Sequence, residues 1–259
     1  TSYLTEALVR MIDQSGILPK GALQLVIGST GDLLDRLDVA DVVTFTGSAD
    51  TAAKLRVNPN LVRSSIPFNA EADSLNCAIL ADDVTPDDEE FDLFVKEVVR
   101  EMTVKAGQKC TAIRRAIVPR KHLDAVAEKI KARLSKVVVG DPSVEGVKMG
   151  ALASKSQQSD VAERVALLRQ NAELVFGGDA NFSLVGEGVA QGAFFQPTLL
   201  LCQKPLNTDS VHDIEAFGPV STLMPYDGME EAMALAKRGK GSLVGSLMTK
   251  TPALAAQVV

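Results

Sequence analysis

TPDDEEFDLFVKEVVREMTVKAGQKCTAIRRAIV, residues 85–118, carries the fold decision. Its first half is patterned as an amphipathic helix and its last five residues as an apolar strand. Thr85 is placed to cap the helix and Pro86 to be its first residue, with Asp87, Asp88, Glu89 and Glu90 set against the positive helix start. Phe91, Phe94, Val95, Val98, Val99 and Met102 recur at helical spacing and predict one buried face over residues 87–102. Gly107 ends the helical pattern, and residues 114–118 read as a strand. Helix, glycine turn and strand in succession belong to an α/β layer architecture.

The turn between them holds Cys110, in Ala106-Gly107-Gln108-Lys109-Cys110-Thr111-Ala112. A lysine charge beside the thiol and the start of a helical turn after it would both favour the thiolate, the reactive form. Taken locally, Cys110 is either a nucleophile held by scaffold or a small residue filling a turn. Cys77 and Cys202 lie in apolar, strand-like surroundings and read as packing residues. Three widely spaced cysteines form neither a disulfide framework nor a C-x-x-C metal site, which points to a reducing, cytoplasmic setting. No metal centre is expected. The two histidines, His122 at a helix start and His212 in a polar loop, read as solvated or loosely bonded.

Working outward, the same alternation continues. Helices are expected over residues 3–14, from Thr46-Gly47-Ser48 into Leu55, and over 122–134, 157–169 and 230–237. Strands are expected over 23–27, 41–45, 174–176, 199–201 and 243–248. With 46% hydrophobic and 4% aromatic residues and no tryptophan, aliphatic side chains must fill the interior. The net charge of −6 gives no electrostatic footprint for nucleic acid, and no Lys/Arg block suggests a membrane surface. No apolar run approaches the ~18 residues of a transmembrane span, and the first residues do not read as a signal peptide. Neither nucleic acid nor membrane is expected as a partner.

Two further groups bear chemistry. Glu71 lies in Phe68-Asn69-Ala70-Glu71-Ala72-Asp73 between apolar stretches, and a carboxylate near a thiol is what thioester hydrolysis needs as a base. Asp73 is a rival, on the same face if the segment is extended, and a solvent-facing glutamate at a strand end is the plainer reading of Glu71. Ile214-Glu215-Ala216-Phe217-Gly218-Pro219-Val220 offers an acid, an aromatic ring and a rigid turn, either for a ribose and a flat ring or as loop punctuation over core.

Phe45-Thr46-Gly47-Ser48, Glu71, Gly107-Gln108-Lys109-Cys110, Gly140-Asp141-Pro142, Met149-Gly150-Ala151-Leu152, Phe195-Gln196-Pro197-Thr198 and Glu215-Ala216-Phe217-Gly218-Pro219 stand in one order along the chain. In this the chain resembles the aldehyde dehydrogenase superfamily. The resemblance implies a Rossmann-type cofactor-domain remnant over residues 1–70 and a three-layer α/β catalytic domain over 71–259, truncated at its C-terminal end. It implies Cys110 as nucleophile, Glu71 as base, Gly47 and Ser48 at the cofactor pyrophosphate, and Glu215 with Phe217 at the nicotinamide-side ribose and ring. The stretches 71–76, 105–115 and 212–220 are more narrowly similar to the dehydrogenase domains of bifunctional ring-opening proteins of bacterial phenylacetate degradation. That similarity implies a CoA-linked semialdehyde substrate, NADP with NAD as the alternative, a fused hydratase domain in the whole protein, and a homo-oligomer. Semialdehyde dehydrogenases of benzoyl-CoA oxidation are close neighbours, and an inactive fragment or scaffold of the same fold is the competing class.

The chain departs from the superfamily pattern in several places. Ala72 and Asp73 replace a Gly-Gly after the glutamate, Ala52 replaces a second glycine after Ser48, and the spacing from Glu71 to Cys110 is longer. The resemblance also implies that the oxyanion-hole asparagine lies outside the chain, which corresponds to about half of a dehydrogenase domain and is expected to be inactive by itself.

Overall fold

The chain divides into two units, Thr1–Asp73 and Ser74–Val259, in a computed structural model that describes residues 2–179 and 182–258. The first unit contains helix α1 (Ser2–Ser15), strand β1 (Val43–Gly47), helices α2 (Ala49–Arg56) and α3 (Pro59–Arg63), and strand β2 (Phe68–Ala72). Strands β1 and β2 pair in parallel, with Thr46 opposite Glu71 and Gly47 opposite Ala72. The ladder lies wholly within the first unit. Local side chains hold its turns. Asn58 accepts from the Asn60 and Leu61 amides to cap α3, and Asn60 Nδ2 donates to the carbonyls of Leu34 and Leu37, each at 2.8 Å.

Residues 23–27, expected as a strand, have no regular structure. Leu23, Leu25, Val26 and Ile27 are all exposed. Apolar, β-branched sequence makes a strand only when a neighbour takes up its backbone groups, and among the described residues β1 and β2 pair with each other alone.

The second unit contains β3 (Cys77–Leu80), α4 (Glu89–Thr103), β4 (Arg115–Pro119), α5 (Leu123–Leu134), α6 (Lys155–Leu168), β5 (Glu173–Phe176), β6 (Thr198–Leu201), α7 (Ser210–Asp213), β7 (Val220–Tyr226), α8 (Met229–Lys237), β8 (Gly245–Met248) and α9 (Pro252–Val258). Its strands form a six-stranded sheet in the order β5-β6-β7-β4-β3-β8. Only β5 runs antiparallel to its neighbour. The parallel strands are covered on both faces, as their near-continuous apolar sequences require. Cys77, Ile79, Ile117, Leu200, Val220 and Met224 pack with α6, α7 and α8, whereas Ala78, Leu80, Ala116, Val118, Leu199, Leu201 and Leu223 pack with α4 and α5. Successive residues of each strand thus feed opposite cores, giving the three-layer α/β arrangement.

Helix α4 begins at Glu89 with Asp88 in the capping position, later than Thr85 and Pro86 suggest. Asp88 Oδ2 instead accepts from both the amide and the hydroxyl of Thr85, each at 2.7 Å, and closes a turn ahead of the helix. Asp88 also takes the Lys250 ammonium at 2.7 Å, and these bonds hold its carboxyl down at about 2. Among the described residues, no helix is long and apolar enough to cross a membrane.

Candidate active site

Four segments of the second unit immediately precede sheet strands. They are Ser74-Leu75-Asn76 before β3, Cys110 to Arg114 before β4, Glu215 to Pro219 before β7, and Leu243-Val244 before β8. Because these strands are parallel neighbours, with Cys77 opposite both Arg115 and Gly245 and Arg115 opposite Thr222, all four segments meet at the amino edge of the sheet. Cys110 is exposed there, whereas Cys77 and Cys202 are buried, matching their reading as packing residues. Burial pushes the Cys77 thiol above its ordinary value.

The turn before Cys110 is left-handed. Lys105, Ala106 and Gly107 have φ of 53°, 52° and 70°, a conformation that costs side-chain-bearing residues and persists only where the surroundings enforce it. Glycine is required at 107, because a Cβ there would fall 2.1 Å from the Gly218 carbonyl oxygen. Two anchors fix the turn. Asn76 Nδ2 donates to the carbonyls of Cys110 (2.8 Å) and Ala112 (3.0 Å), while its Oδ1 accepts from the Val244 amide and the Ser74 hydroxyl. Arg114 Nη2 donates to the Gly107 carbonyl at 2.7 Å and Nη1 to the Gly218 carbonyl at 2.6 Å.

Neither local feature expected to favour the thiolate is arranged as the sequence suggests. The Lys109 ammonium donates to both oxygens of Glu101 at 2.7 Å, so its charge is answered by that carboxylate. Cys110 and Thr111 form a turn that runs into β4, with no helix after it. Gln108 ties the turn to its other side: its Oε1 accepts from the Ala153 amide at 2.8 Å. A cavity of about 280 Å³ opens against Asn76, Thr111, Ile113 and Glu101 beside the turn.

Glu215 and Phe217 are brought to the same edge. The Glu215 side chain is 6% exposed. Its Oε1 accepts from Arg114 Nε at 3.2 Å and its Oε2 from the Ser74 amide at 3.0 Å. The Arg114 guanidinium also lies 5.4 Å from the centre of the half-buried Phe217 ring. Burial works against the Arg114 charge and Glu215 works for it. Arg114 and Asn76 escaped the sequence reading as site residues. The available signal was a pair of arginines opening an apolar strand, since a buried guanidinium needs several acceptors.

His212, expected in a polar loop, is buried in α7. Arg115 Nη1 donates to its Nδ1 at 3.1 Å, which leaves Nε2 as the donor to the Pro205 carbonyl at 2.9 Å. Burial holds its pKa down to about 4. Arg115 also donates to the carbonyls of Leu75, Leu235 and Ala236. His212 is therefore a structural histidine.

Within the first unit, Gly47 ends β1 and Ser48 caps α2, its hydroxyl accepting from the Thr51 amide at 3.2 Å. A strand–turn–helix is a setting that can receive an anion, though here the Thr51 amide is taken by Ser48. Glu71 is exposed on β2, one pairing step from Gly47. Asp73 is not extended beside it: at φ 33° it turns away, and its Oδ1 accepts from the Ala49 amide at the start of α2, at 3.1 Å. Among the described residues, no three His, Cys, Asp or Glu side chains gather as metal ligands.

The fold has counterparts among known proteins. Betaine aldehyde dehydrogenase from Staphylococcus aureus superposes with a TM-score of 0.84 at 24% identity, over 98% of this chain and 50% of that one. Succinic semialdehyde dehydrogenase from Streptococcus pyogenes, solved with NADP+, gives 0.80 at 24%, over 98% and 52%. The 3,4-dehydroadipyl-CoA semialdehyde dehydrogenase of Aromatoleum evansii is 50% identical over all 259 residues, which cover 50% of that protein. The chain thus spans about half the length of the curated relatives it matches. The model of the aldehyde dehydrogenase family matches residues 1–259, and the chain belongs to that family.

Proposed function

We propose that the protein carrying this chain oxidises a CoA-linked semialdehyde to the carboxylic acid, with Cys110 as nucleophile and Glu71 as general base. The observation that carries the reading is the exposed thiol of Cys110 on a rigidly anchored turn, in an aldehyde dehydrogenase family chain whose other two cysteines are buried. Cys110 Sγ attacks the aldehyde carbon and forms a thiohemiacetal. When bound, a nicotinamide dinucleotide would supply the hydride acceptor, and loss of hydride from the thiohemiacetal carbon would leave the acyl group as a thioester on Cys110. Glu71 then takes the proton of the water that hydrolyses the thioester and frees Cys110.

The residues present fit such a cofactor in kind. Gly47 and Ser48 would hold its pyrophosphate at the start of α2, and Glu215 and Phe217 would take the nicotinamide-side ribose and ring. NADP is the proposed cofactor, by resemblance, and NAD the alternative. For the substrate, the Aromatoleum evansii relative favours a CoA semialdehyde of the dehydroadipyl kind, and the ring-opened CoA semialdehyde of phenylacetate catabolism is the second choice. The resemblance supports a fused hydratase domain and a homo-oligomer as further proposals.

The test is an assay of the whole protein with each CoA semialdehyde and each cofactor, following nicotinamide reduction and acid formation. Cys110→Ala should abolish both while leaving the fold intact. Normal turnover in that variant would remove the assignment.

A further inference from the structure

We propose that Arg114 is a positioning residue for Cys110, a guanidinium fork that locks the left-handed turn at Gly107 to the Glu215–Pro219 loop. The inference rests on Cys110 being the nucleophile.

Arg114 is 4% exposed and spends its donors on one purpose. Nη2 reaches the Gly107 carbonyl, Nη1 the Gly218 carbonyl, and Nε the Glu215 carboxylate. The Gly107 carbonyl also accepts from the Lys109 amide at 2.9 Å, so the arginine grips the same oxygen that orients the residue just before Cys110. Three consecutive residues with positive φ, two of them bearing side chains, are not a resting conformation of a free loop. The close approach of Gly107 to Gly218 shows what enforces it, and Arg114 bridges the carbonyls of those two glycines. Glu215 is fixed from its far side by the Ser74 amide, which gives the fork a rigid base. A lysine at this position has a single ammonium and cannot address three acceptors in one plane. Arg114 thereby sets the position of the thiol through the backbone without touching the reacting atoms.

The experiment measures alkylation of Cys110 by iodoacetamide in the full chain across pH, with peptide mass mapping to separate it from Cys77 and Cys202. Arg114→Lys should slow alkylation about tenfold or more, in line with the sensitivity of reactive groups to ångström-scale misplacement, and should shift its pH profile. Glu215→Gln keeps one acceptor oxygen, enough for Arg114 or for the Ser74 amide but not for both, and should give a smaller change of the same sign. Ile130→Ala, a core truncation in α5, should lower the melting temperature and leave Cys110 alkylation unchanged.

A reactive Cys110 whose rate and pH profile are unaffected by Arg114→Lys would overturn this inference alone, as would equal slowing in Ile130→Ala. If Arg114→Lys does not fold, Glu215→Gln is judged by the same criterion. A wild-type Cys110 that resists alkylation would overturn the nucleophile assignment and this inference with it.

Discussion

The turn at 107–112 and the turn at 47–49 each carry residues assigned to chemistry, and they are held by opposite means. The first sits on a sheet covered on both faces and is fixed from below by Asn76 and Arg114, both buried. The second is exposed and is fixed by its own neighbours: Ser48 caps Thr51, and Asp73 meets the Ala49 amide. In the first unit Ala52, Leu61 and Ile66 are the buried apolar side chains among the described residues. The position proposed for covalent chemistry is thus held by long-range contacts through a core, and the position proposed for an anion by local capping. Substitutions at the two turns should therefore differ sharply in cost.

The largest difference is expected between two glycines. Gly107→Ala brings a Cβ against backbone at a positive φ and should destabilise the second unit by about 3 kcal/mol or more. Gly47→Ala meets only the tip of the Phe45 ring, at ordinary φ, and should cost about 1 kcal/mol or less once that side chain moves. Urea unfolding of both variants checks the ordering, and equal losses would break the comparison.

Next comes Asn76→Ala. It leaves the Cys110 and Ala112 carbonyls and the Val244 amide without their partner and is expected to cost roughly 1–3 kcal/mol, together with slower Cys110 alkylation. Ser48→Ala removes one cap and should cost about 1 kcal/mol, with amide exchange rising in α2 and unchanged in α4.

Acid sharpens the same contrast. The folded pKa of His212 is held at about 4, first by burial and then by Arg115 and Arg238, while the Pro205 carbonyl and Asp213 act in the other direction. An unfolded histidine titrates near 6.5. Below that value the unfolded chain binds a proton that the folded one refuses, so this contribution to stability is complete above about pH 6.5 and is lost as pH falls toward 4. The melting temperature of the second unit should drop across that window, and His212→Gln should flatten the slope. An unaltered slope in that variant would remove His212 as its source.

Much of this was legible in the sequence. Apolar spacing located α4, α5 and the strands β4 and β6, because those elements bury side chains in the pattern their period dictates. Read locally, Cys110 was either a nucleophile or a small residue filling a turn, and it was the ordered run of motifs along the chain that carried the family. What stayed hidden depends on sheet order. Ser74, Asn76, Arg114 and Glu215 meet only because β3, β4 and β7 are parallel neighbours with their amino ends at one edge of the sheet, which no local pattern encodes. Lys109 looked like a charge for the thiol until α4 placed Glu101 against it. Residues 23–27 had the composition of a strand and no partner to pair with, and His212 looked polar until Arg115 supplied its buried hydrogen bond.

The central claim, a covalent route through Cys110 with Glu71 as the base that ends it, is tested most directly by intact mass and peptide mapping. Glu71→Gln protein is incubated with cofactor and a CoA semialdehyde, then quenched. Loss of a general base slows proton transfer by roughly 10²–10⁴, so an acyl adduct should accumulate on the peptide bearing Cys110 and be absent after Cys110→Ala. An adduct on another residue, or a Glu71→Gln protein that turns over normally and never carries one, would contradict the account.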